Sequence, residues 1–261
     1  MIKESAADLP HITIALPVFN GEKTLEKTIN SIVNQTYKNW QLLILDDGST
    51  DKTREIATTF KDSRVQLLSD GLHKGITARL NQAIELAQGK YFARMDADDF
   101  AYPVRLAKQI AFLESNPSID LVGTNICYVD SEGNASGVSD FPSHHTKITA
   151  TPWLKSISIA HPTWCGKTAW FQKWEYRNVL KNEDQDLLLR AHESSRFANL
   201  PDVLLEYNVT SSFKKSLLSR CGSVRMMHDY YIQKRQPSWY ILSLFLVFIK
   251  FFLDFFTKRL A

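Results

Sequence analysis

The sequence has few cysteines and none of the short patterns in which cysteines act together. Its three cysteines, Cys127, Cys165 and Cys221, are widely spaced, and no two of them form a CxxC pair. Disulfide frameworks and zinc sites require closely patterned cysteines, so the sequence predicts neither of them. A reducing compartment is therefore expected.

The chain also lacks a large excess of charge and the glycine-rich loops that hold phosphates. Its 31 Lys and Arg residues against 28 Asp and Glu residues give a net charge of +3, which does not favour binding to nucleic acid. Neither the Walker A pattern nor GxGxxG occurs in the sequence. ATP hydrolysis and nicotinamide-dependent redox chemistry therefore lack their phosphate-binding loops.

The first eleven residues have no apolar run of the kind found in a secretory signal. Ile2 stands where N-myristoylation needs a glycine. These features predict a protein that stays in the cytoplasm. With 261 residues and 44% hydrophobic positions, the chain is long enough to bury the core of one large domain.

Short apolar segments alternate with segments of helical periodicity along the first half of the chain. This alternation predicts an α/β fold with a Rossmann-like, mostly parallel sheet flanked by helices on both faces. After residue 130 the pattern is less regular, with a Trp-rich stretch before the next helical segment. The predicted strands are 12–18, 41–45, 64–68, 91–95, 119–129 and the extended segment 197–209, and the predicted helices are 22–36, 51–60, 75–88, 103–115, 184–195 and 212–234.

Two acidic clusters directly follow predicted strands, where doubly wound sheets bind their ligands. The first, 46–51, reads DDGSTD and can offer a carboxylate to a nucleobase N–H or a ribose hydroxyl. A tight turn followed by a helix cap explains Asp46, Ser49 and Asp51 equally well. Both interpretations are kept for this cluster.

The second cluster is 96–99, with the sequence DADD. Three carboxylates in four positions repel one another unless a cation or hydrogen bonds compensate. Hard oxygen ligands of this kind suit Mg²⁺ or Mn²⁺, which can bridge the phosphates of a nucleotide diphosphate. A solvated acidic loop is the alternative.

Three ordered motifs resemble those of the family 2 inverting glycosyltransferases, which have the GT-A fold. They are 16–21 (LPVFNG), 45–51 (LDDGSTD) and 95–99 (MDADD), and the likeness covers nearly all of the first 210 residues. The resemblance implies that Pro17 and Asn20 border the donor nucleotide and that Asp47 accepts a hydrogen bond from the base. It further implies that Asp96 lies near the ribose or the sugar, that Asp98 and Asp99 bind the metal, and that Arg79 lies beside the diphosphate, although Leu80 stands where the family has asparagine.

Inversion in one displacement needs a base that takes the proton of the attacking acceptor hydroxyl. The segment 182–187 (NEDQDL) resembles the family's late ED motif, in which Asp184 is the base and Glu183 lies on the acceptor side. These acidic residues are also favoured at a helix N-terminus by the macrodipole, which explains Asp186 well. His161, in the stretch HPT, is an acceptor-side candidate or a packed core histidine.

The C-terminal segment 239–256 is almost entirely apolar and aromatic, with basic residues on both sides. Its 18 residues would span about 27 Å as a helix, slightly less than a hydrocarbon core. An interfacial helix on the inner leaflet is expected, and a spanning or protein-packed helix is the alternative. We therefore divide the chain into a GT-A domain, 1–210, and a C-terminal helical region, 211–261.

The resemblance implies a metal-dependent enzyme that uses Mn²⁺ or Mg²⁺ at the cytoplasmic face of the inner membrane. It would transfer a hexose, glucose or galactose, from a UDP-sugar in a β linkage to a saccharide on undecaprenyl diphosphate, as in O-antigen biosynthesis. Two alternatives are a nucleotidyltransferase and a scaffold that binds sugar nucleotide without catalysis. The first needs a glycine-rich basic loop after the first strand, and that loop is missing.

Overall fold

The computed structural model describes residues 12–130, 132–152, 156–179, 181–209 and 213–235, together with 238, 241, 242, 244 and 245, without the side chains of 213–221. Within these residues, nine strands form one sheet in the order β3-β2-β1-β4-β8-β6-β9-β5, with β7 paired to β6. The strands are β1 Ile12–Val18, β2 Trp40–Asp46, β3 Val65–Ser69, β4 Tyr91–Arg94, β5 Phe100–Ala101, β6 Leu121–Val129, β7 Ala135–Val138, β8 Cys165–Lys167 and β9 Phe197–Asn208.

Eight α-helices and two short 3₁₀ helices are seen in the described ranges. The 3₁₀ helices are His161–Thr163 and His192–Ser194. The α-helices are α1 Leu25–Val33, α2 Thr53–Thr59, α3 Ile76–Glu85, α4 Arg105–Ser115, α5 His145–Ile148, α6 Thr168–Lys173, α7 Glu183–Ala191 and α8 Phe213–Gln233.

The two faces of the sheet are covered by different helices, as the alternation predicted. Along β1, Ile14 and Leu16 pack into one hydrophobic cluster with Leu25 of α1. Ala15, between them, joins a second cluster that contains Leu80 of α3. Successive side chains of a strand point to opposite faces, so this strand is buried on both sides.

The prediction of a mostly parallel sheet is correct for one half of the sheet and wrong for the other. Strands β3, β2, β1 and β4 are parallel to one another. Beyond β4, β8 pairs antiparallel with both β4 and β6, whereas β6 and β9 are parallel. These antiparallel pairs were not predicted because β8 has three residues and β5 has two, which is too short for a periodic pattern to be read from the sequence.

The C-terminal part of the chain begins with α8, which packs against α7 through Leu189, Met226 and Tyr230. Among the described residues, no helix combines the length and the apolar content that a bilayer crossing requires. Most of the predicted membrane-associating segment 239–256 lies outside the described residues.

Candidate active site

The carboxyl ends of β1, β2 and β4 meet at one edge of the sheet because these strands are parallel neighbours. A groove of about 640 Å³ opens there, within the range of small-molecule sites. The predicted residues Pro17, Asn20, Asp96 and Asp98 all line this groove. The structure therefore brings the first and third motifs together on one surface.

Asn20 joins the loops after β1 and β2. Its backbone is left-handed, with φ 52°, a conformation that asparagine tolerates better than most residues. The side-chain Oδ1 accepts a hydrogen bond from Thr50 N at 2.9 Å, and Asn20 N donates to Ser49 Oγ at 2.9 Å. Asn20 thereby fixes the wall of the groove, and its contact with a nucleotide stays a prediction.

Asp47 lies buried behind this wall and is held by an unusually complete set of donors. Lys74 N and Arg79 Nε donate to Oδ1 at 2.8 and 2.9 Å, and Gly75 N donates to Oδ2 at 3.0 Å. His73 Nδ1 lies 2.9 Å from Oδ2. The carboxylate is thus fixed in position before any ligand arrives.

Arg79 is 1% exposed, and all five of its N–H groups donate within the protein. Besides Asp47, the acceptors are both carboxylate oxygens of Asp70, Gln82 Oε1 and Leu72 O. The guanidinium lowers the pKa of the Asp70 carboxyl well below its usual range. A contact with a diphosphate would have to replace one of these bonds, so the role of Arg79 beside the diphosphate stays a prediction.

The remaining residues of the first acidic cluster have the structural roles of the alternative interpretation. Asp46 Oδ1 accepts from Ser49 N at 3.1 Å, as in a tight turn. Asp51 Oδ1 accepts from Thr53 N at 3.0 Å at the start of α2. Asp46, Ser49 and Asp51 therefore shape the loop that presents Asp47.

Part of the negative charge of the second acidic cluster is balanced by Arg94, a residue that was not predicted from the sequence. Arg94 is the last residue of β4 and is 2% exposed, and both of its terminal nitrogens donate to the carboxylate of Asp96. Such bidentate pairing is the strong form of an Arg–carboxylate contact. A positive residue inside an apolar strand, two positions before the first aspartate, was the available signal.

Asp98 is exposed in the groove, whereas Asp99 is buried. Asp99 Oδ1 accepts from Asn208 N at 3.1 Å, and Oδ2 has no hydrogen-bond partner within the described part of the chain. Burial, followed by the charge of Asp96, raises the pKa of Asp99 to about 8. Asn208 also lines the groove and is a second residue that the sequence did not reveal.

The acidic cluster fits a hard divalent cation that takes part of its coordination from a ligand. The described residues contain no group of three or more His, Cys, Asp or Glu side chains that could hold a metal. Mg²⁺ is commonly bound through one or two carboxylates, with substrate phosphates and water completing the shell. The exposed Asp98 and the unpartnered oxygen of Asp99 match that chemistry.

Asp184 is the second residue of α7 and is half-buried. Burial, and next the charge of Glu183, raises its pKa to about 6, while hydrogen bonds from Gln185 and the positive charge of Arg94 act in the opposite direction. A base with a pKa near the working pH is effective in proton transfer. Arg94 therefore influences both Asp96 and Asp184.

Asp186, in the same motif, has a structural role. Its buried carboxylate accepts from Arg177 Nε at 3.0 Å and from Arg190 Nε at 2.9 Å. A terminal nitrogen of Arg177 also donates to Oδ1, whereas both Nε atoms donate to Oδ2, so both carboxylate oxygens are engaged in ion pairs. This leaves Glu183 and Asp184 as the acidic residues of α7 that are available for chemistry.

His161 lies in the 3₁₀ helix that packs against β4. Its Nε2 is 2.8 Å from the hydroxyl of Tyr176, and its ring lies 4.6 Å from that of Trp164. Burial and the charge of Arg94 lower the pKa of His161 well below its usual value. Trp164 and Trp170, from the Trp-rich stretch, are buried core residues, and Trp153 lies outside the described residues.

Comparison with known proteins shows which family this sequence matches. The family model Glycosyl transferase family 2 matches residues 13–173. The O-antigen biosynthesis glycosyltransferase WbnJ of Escherichia coli is 29% identical over 91% of this chain and 95% of its own length. The UDP-Glc:alpha-D-GlcNAc-diphosphoundecaprenol beta-1,3-glucosyltransferase WfgD of E. coli is 38% identical over 57% of this chain and 56% of its own length.

Two solved structures share the fold at low sequence identity. Residues 1–349 of S. aureus TarS in complex with UDP-GlcNAc superpose with a TM-score of 0.70 and 19% identity, over 85% of this chain and 65% of that one. The mannosyltransferase PcManGT of Pyrobaculum calidifontis, in complex with GDP-Man and Mn²⁺, gives a TM-score of 0.63 and 16% identity, over 91% of this chain and 74% of that one. The chain belongs to glycosyl transferase family 2 and is a glycosyltransferase of the GT-A fold.

Proposed function

We propose that this glycosyltransferase moves a hexose, glucose or galactose, from a UDP-sugar in a β linkage to a lipid-linked saccharide of the undecaprenyl diphosphate–GlcNAc type, in O-antigen or other surface polysaccharide biosynthesis. The name of WfgD, which states such a donor and acceptor, supports the substrate classes. The observation that carries the proposal is that Arg94 links two acidic groups: it donates to Asp96 in the groove, and its charge acts on Asp184, whose pKa burial raises to about 6.

On the donor side, the residues of the groove, together with Asp47 behind its wall, would bind the nucleotide. Asp47 would accept the N3–H of the base, because its carboxylate is already oriented by Lys74 N and Gly75 N. Pro17 and Asn20 would border the nucleotide, and Asp96, held by Arg94, would contact the ribose or the sugar. Preorganised partners of this kind lower the cost of ordering the site when the donor binds.

Asp98 and Asp99 would hold Mn²⁺ or Mg²⁺ together with the donor diphosphate. When bound, such an ion neutralises charge on the leaving diphosphate. PcManGT, which shares the fold, was solved with Mn²⁺, and this supports the choice of metal.

On the acceptor side, Asp184 would take the proton of the acceptor hydroxyl while that oxygen attacks the anomeric carbon from the face opposite the diphosphate. A single displacement of this kind inverts the anomeric configuration. Glu183 and His161 would contact the acceptor. The raised pKa of Asp184 supports this role because a carboxylate with a higher pKa accepts a proton more readily.

We assign catalysis to the GT-A domain, residues 1–210, and membrane association to the helical region 211–261. A peripheral position on the cytoplasmic face of the inner membrane would place the active site near a lipid-linked acceptor. The apolar segment 239–256 with its flanking basic residues supports this placement. Ile241 and Phe245, two of its described residues, are exposed.

The experiment measures UDP or GDP release from a panel of UDP- and GDP-sugars, with Mn²⁺, Mg²⁺ or EDTA, in the presence of undecaprenyl diphosphate–GlcNAc or a short-chain analogue. We expect metal-dependent turnover of one UDP-hexose, and loss of that turnover in Asp98→Ala and in Asp184→Asn. Asp202→Asn is the matched control, since this half-buried aspartate pairs with Lys108 on the surface. Turnover that persists in EDTA, or that prefers GDP-sugars, would contradict the proposal.

A further inference from the structure

Tyr176 lies buried between the donor-side helix α3 and the 3₁₀ helix that carries His161. Its backbone N donates to Asn81 Oδ1 at 2.9 Å, and Asn81 Nδ2 donates to its carbonyl oxygen at 2.8 Å. One side chain of α3 thus satisfies both polar groups of the Tyr176 backbone. Arg79, which holds Asp47, lies two residues earlier on the same helix.

The side chain of Tyr176 holds His161 from one direction, and Trp164 holds it from another. The Tyr176 hydroxyl and His161 Nε2 are 2.8 Å apart. The rings of Tyr176 and Trp164 are nearly parallel, 16° apart, with centroids separated by 6.3 Å. Because Trp164 is fully buried, His161 is positioned by two side chains that are themselves fixed in the core.

The hydrogen bond between Tyr176 and His161 joins two uncharged groups. Burial raises the pKa of the Tyr176 hydroxyl well above its usual value and lowers the pKa of His161. The charges that act on Tyr176 are those of Arg94, Asp184, Glu183 and Asp96, from β4, α7 and the acidic loop. The Tyr176–His161 pair therefore lies within the electrostatic influence of charged groups from both the proposed donor side and the proposed acceptor side.

We propose that Tyr176 is a positioning residue, which donates its hydroxyl proton to His161 Nε2 and so leaves the imidazole proton on Nδ1 to bind a hydroxyl of the acceptor saccharide. A neutral imidazole has one donor and one acceptor nitrogen, and the bond made by one nitrogen sets the state of the other. This inference rests on the proposed function, because it names the part of that site that holds the acceptor.

The test compares Tyr176→Phe, His161→Ala and the double variant. Tyr176→Phe keeps the ring and the backbone bonds to Asn81 and removes the hydroxyl alone. We expect the acceptor KM to rise about three- to tenfold, which is the effect of one neutral hydrogen bond, while the Kd for the donor stays within about twofold. The double variant should be no worse than His161→Ala, because the hydroxyl acts through His161.

The matched control is Tyr230→Phe, which removes a tyrosine hydroxyl that donates to Glu193 Oε1 at 3.1 Å, between α8 and the 3₁₀ helix after α7. It should leave both the acceptor KM and the donor Kd unchanged. A second measurement does not depend on turnover: the ¹⁵N shifts of His161 should report the Nδ1–H form in the wild type, and a mixture of tautomers in Tyr176→Phe.

Effects of Tyr176→Phe and His161→Ala that multiply in the double variant would overturn the inference, as would an Nε2–H form in the wild type. Loss of donor affinity in Tyr176→Phe equal to the rise in acceptor KM would also overturn it. Absence of wild-type turnover with every donor would instead contradict the proposed function, while an Nε2–H form in the ¹⁵N measurement would still overturn the inference on its own.

Discussion

The proposed donor side and the proposed acceptor side of the active site are built in different ways. The donor residues lie in loops after parallel strands, and Asp47 is fixed there by backbone and guanidinium donors before any ligand binds. The proposed acceptor residues lie on short helices, and Asp184 accepts hydrogen bonds from Gln185, from its backbone N and, at 3.3 Å, from its side-chain amide. On the donor side, hydrogen bonds hold the charged side chain of Asp47 in place. On the acceptor side, burial raises the pKa of Asp184.

The strongest test of this difference is Asp184→Asn. Removing a general base typically costs 10²–10⁴ in rate, so we expect kcat to fall by about that factor. The donor side should be unaffected, and the Kd for UDP should stay within about twofold. Single-turnover kinetics and calorimetry measure the two quantities. Equal loss of rate and of UDP affinity would show that the two sides are not separate.

The corresponding test of the donor side is Arg79→Leu. This variant leaves the buried Asp47 carboxylate without its guanidinium, and breaking a buried pair in this way costs about 3–5 kcal/mol of unfolding free energy. Urea unfolding measures the loss, and UDP affinity should fall with it. Arg54→Leu is the control, because Arg54 is exposed and lies 4.0 Å from Asp46, so it should cost less than about 1 kcal/mol.

The pH dependence sharpens the comparison further. Asp184 must be ionised to act as a base, so kcat/KM should fall about tenfold per pH unit as the pH drops below about 6. The negative charge of Glu183 raises that pKa, so Glu183→Gln should move the acidic limb to lower pH. If the acidic limb stays at the same pH in Glu183→Gln, the group that titrates in that limb is not Asp184.

The smallest effect is expected for the pair of Lys108 and Asp202, which belongs to neither side of the site. Exposed ion pairs contribute about 0–1 kcal/mol, so Asp202→Asn should leave the unfolding midpoint nearly unchanged. Its kcat/KM should equal that of the wild type at every pH. A change in the pH profile of this variant would mean that surface charge, rather than burial, sets the acidic limb.

The same difference explains how much could be predicted from the sequence. The strand Ile12–Val18 and the positions of Asp47 and Asp98 after strands were predicted because local periodicity and strand order place them. The bond between Asp47 and Arg79, 32 residues apart, and the contact of Tyr176 with Asn81, 95 residues apart, depend on tertiary packing.

The Trp-rich stretch shows the same limit within a single segment. The three-residue strand Cys165–Lys167 and the six-residue helix Thr168–Lys173 are shorter than the windows in which periodicity can be read. The direction of β8 therefore could not be predicted, and with it the mixed character of the sheet. The contact between Arg94 and Asp96 spans only two residues. It was missed because the sequence alone does not show that Arg94, the last residue of β4, is buried.

The position of strand β8 in the sheet allows its cysteine, Cys165, to report local unfolding. It lies between β4 and β6 and so connects the parallel half of the sheet to the strands that follow. The thiol of Cys165 is fully buried in this strand, and burial raises its pKa to about 12, so it is inert towards alkylating reagents in the native state. The rate at which Cys165 becomes labelled should therefore report how often the sheet separates at this strand, which makes the cysteine a native probe of local unfolding.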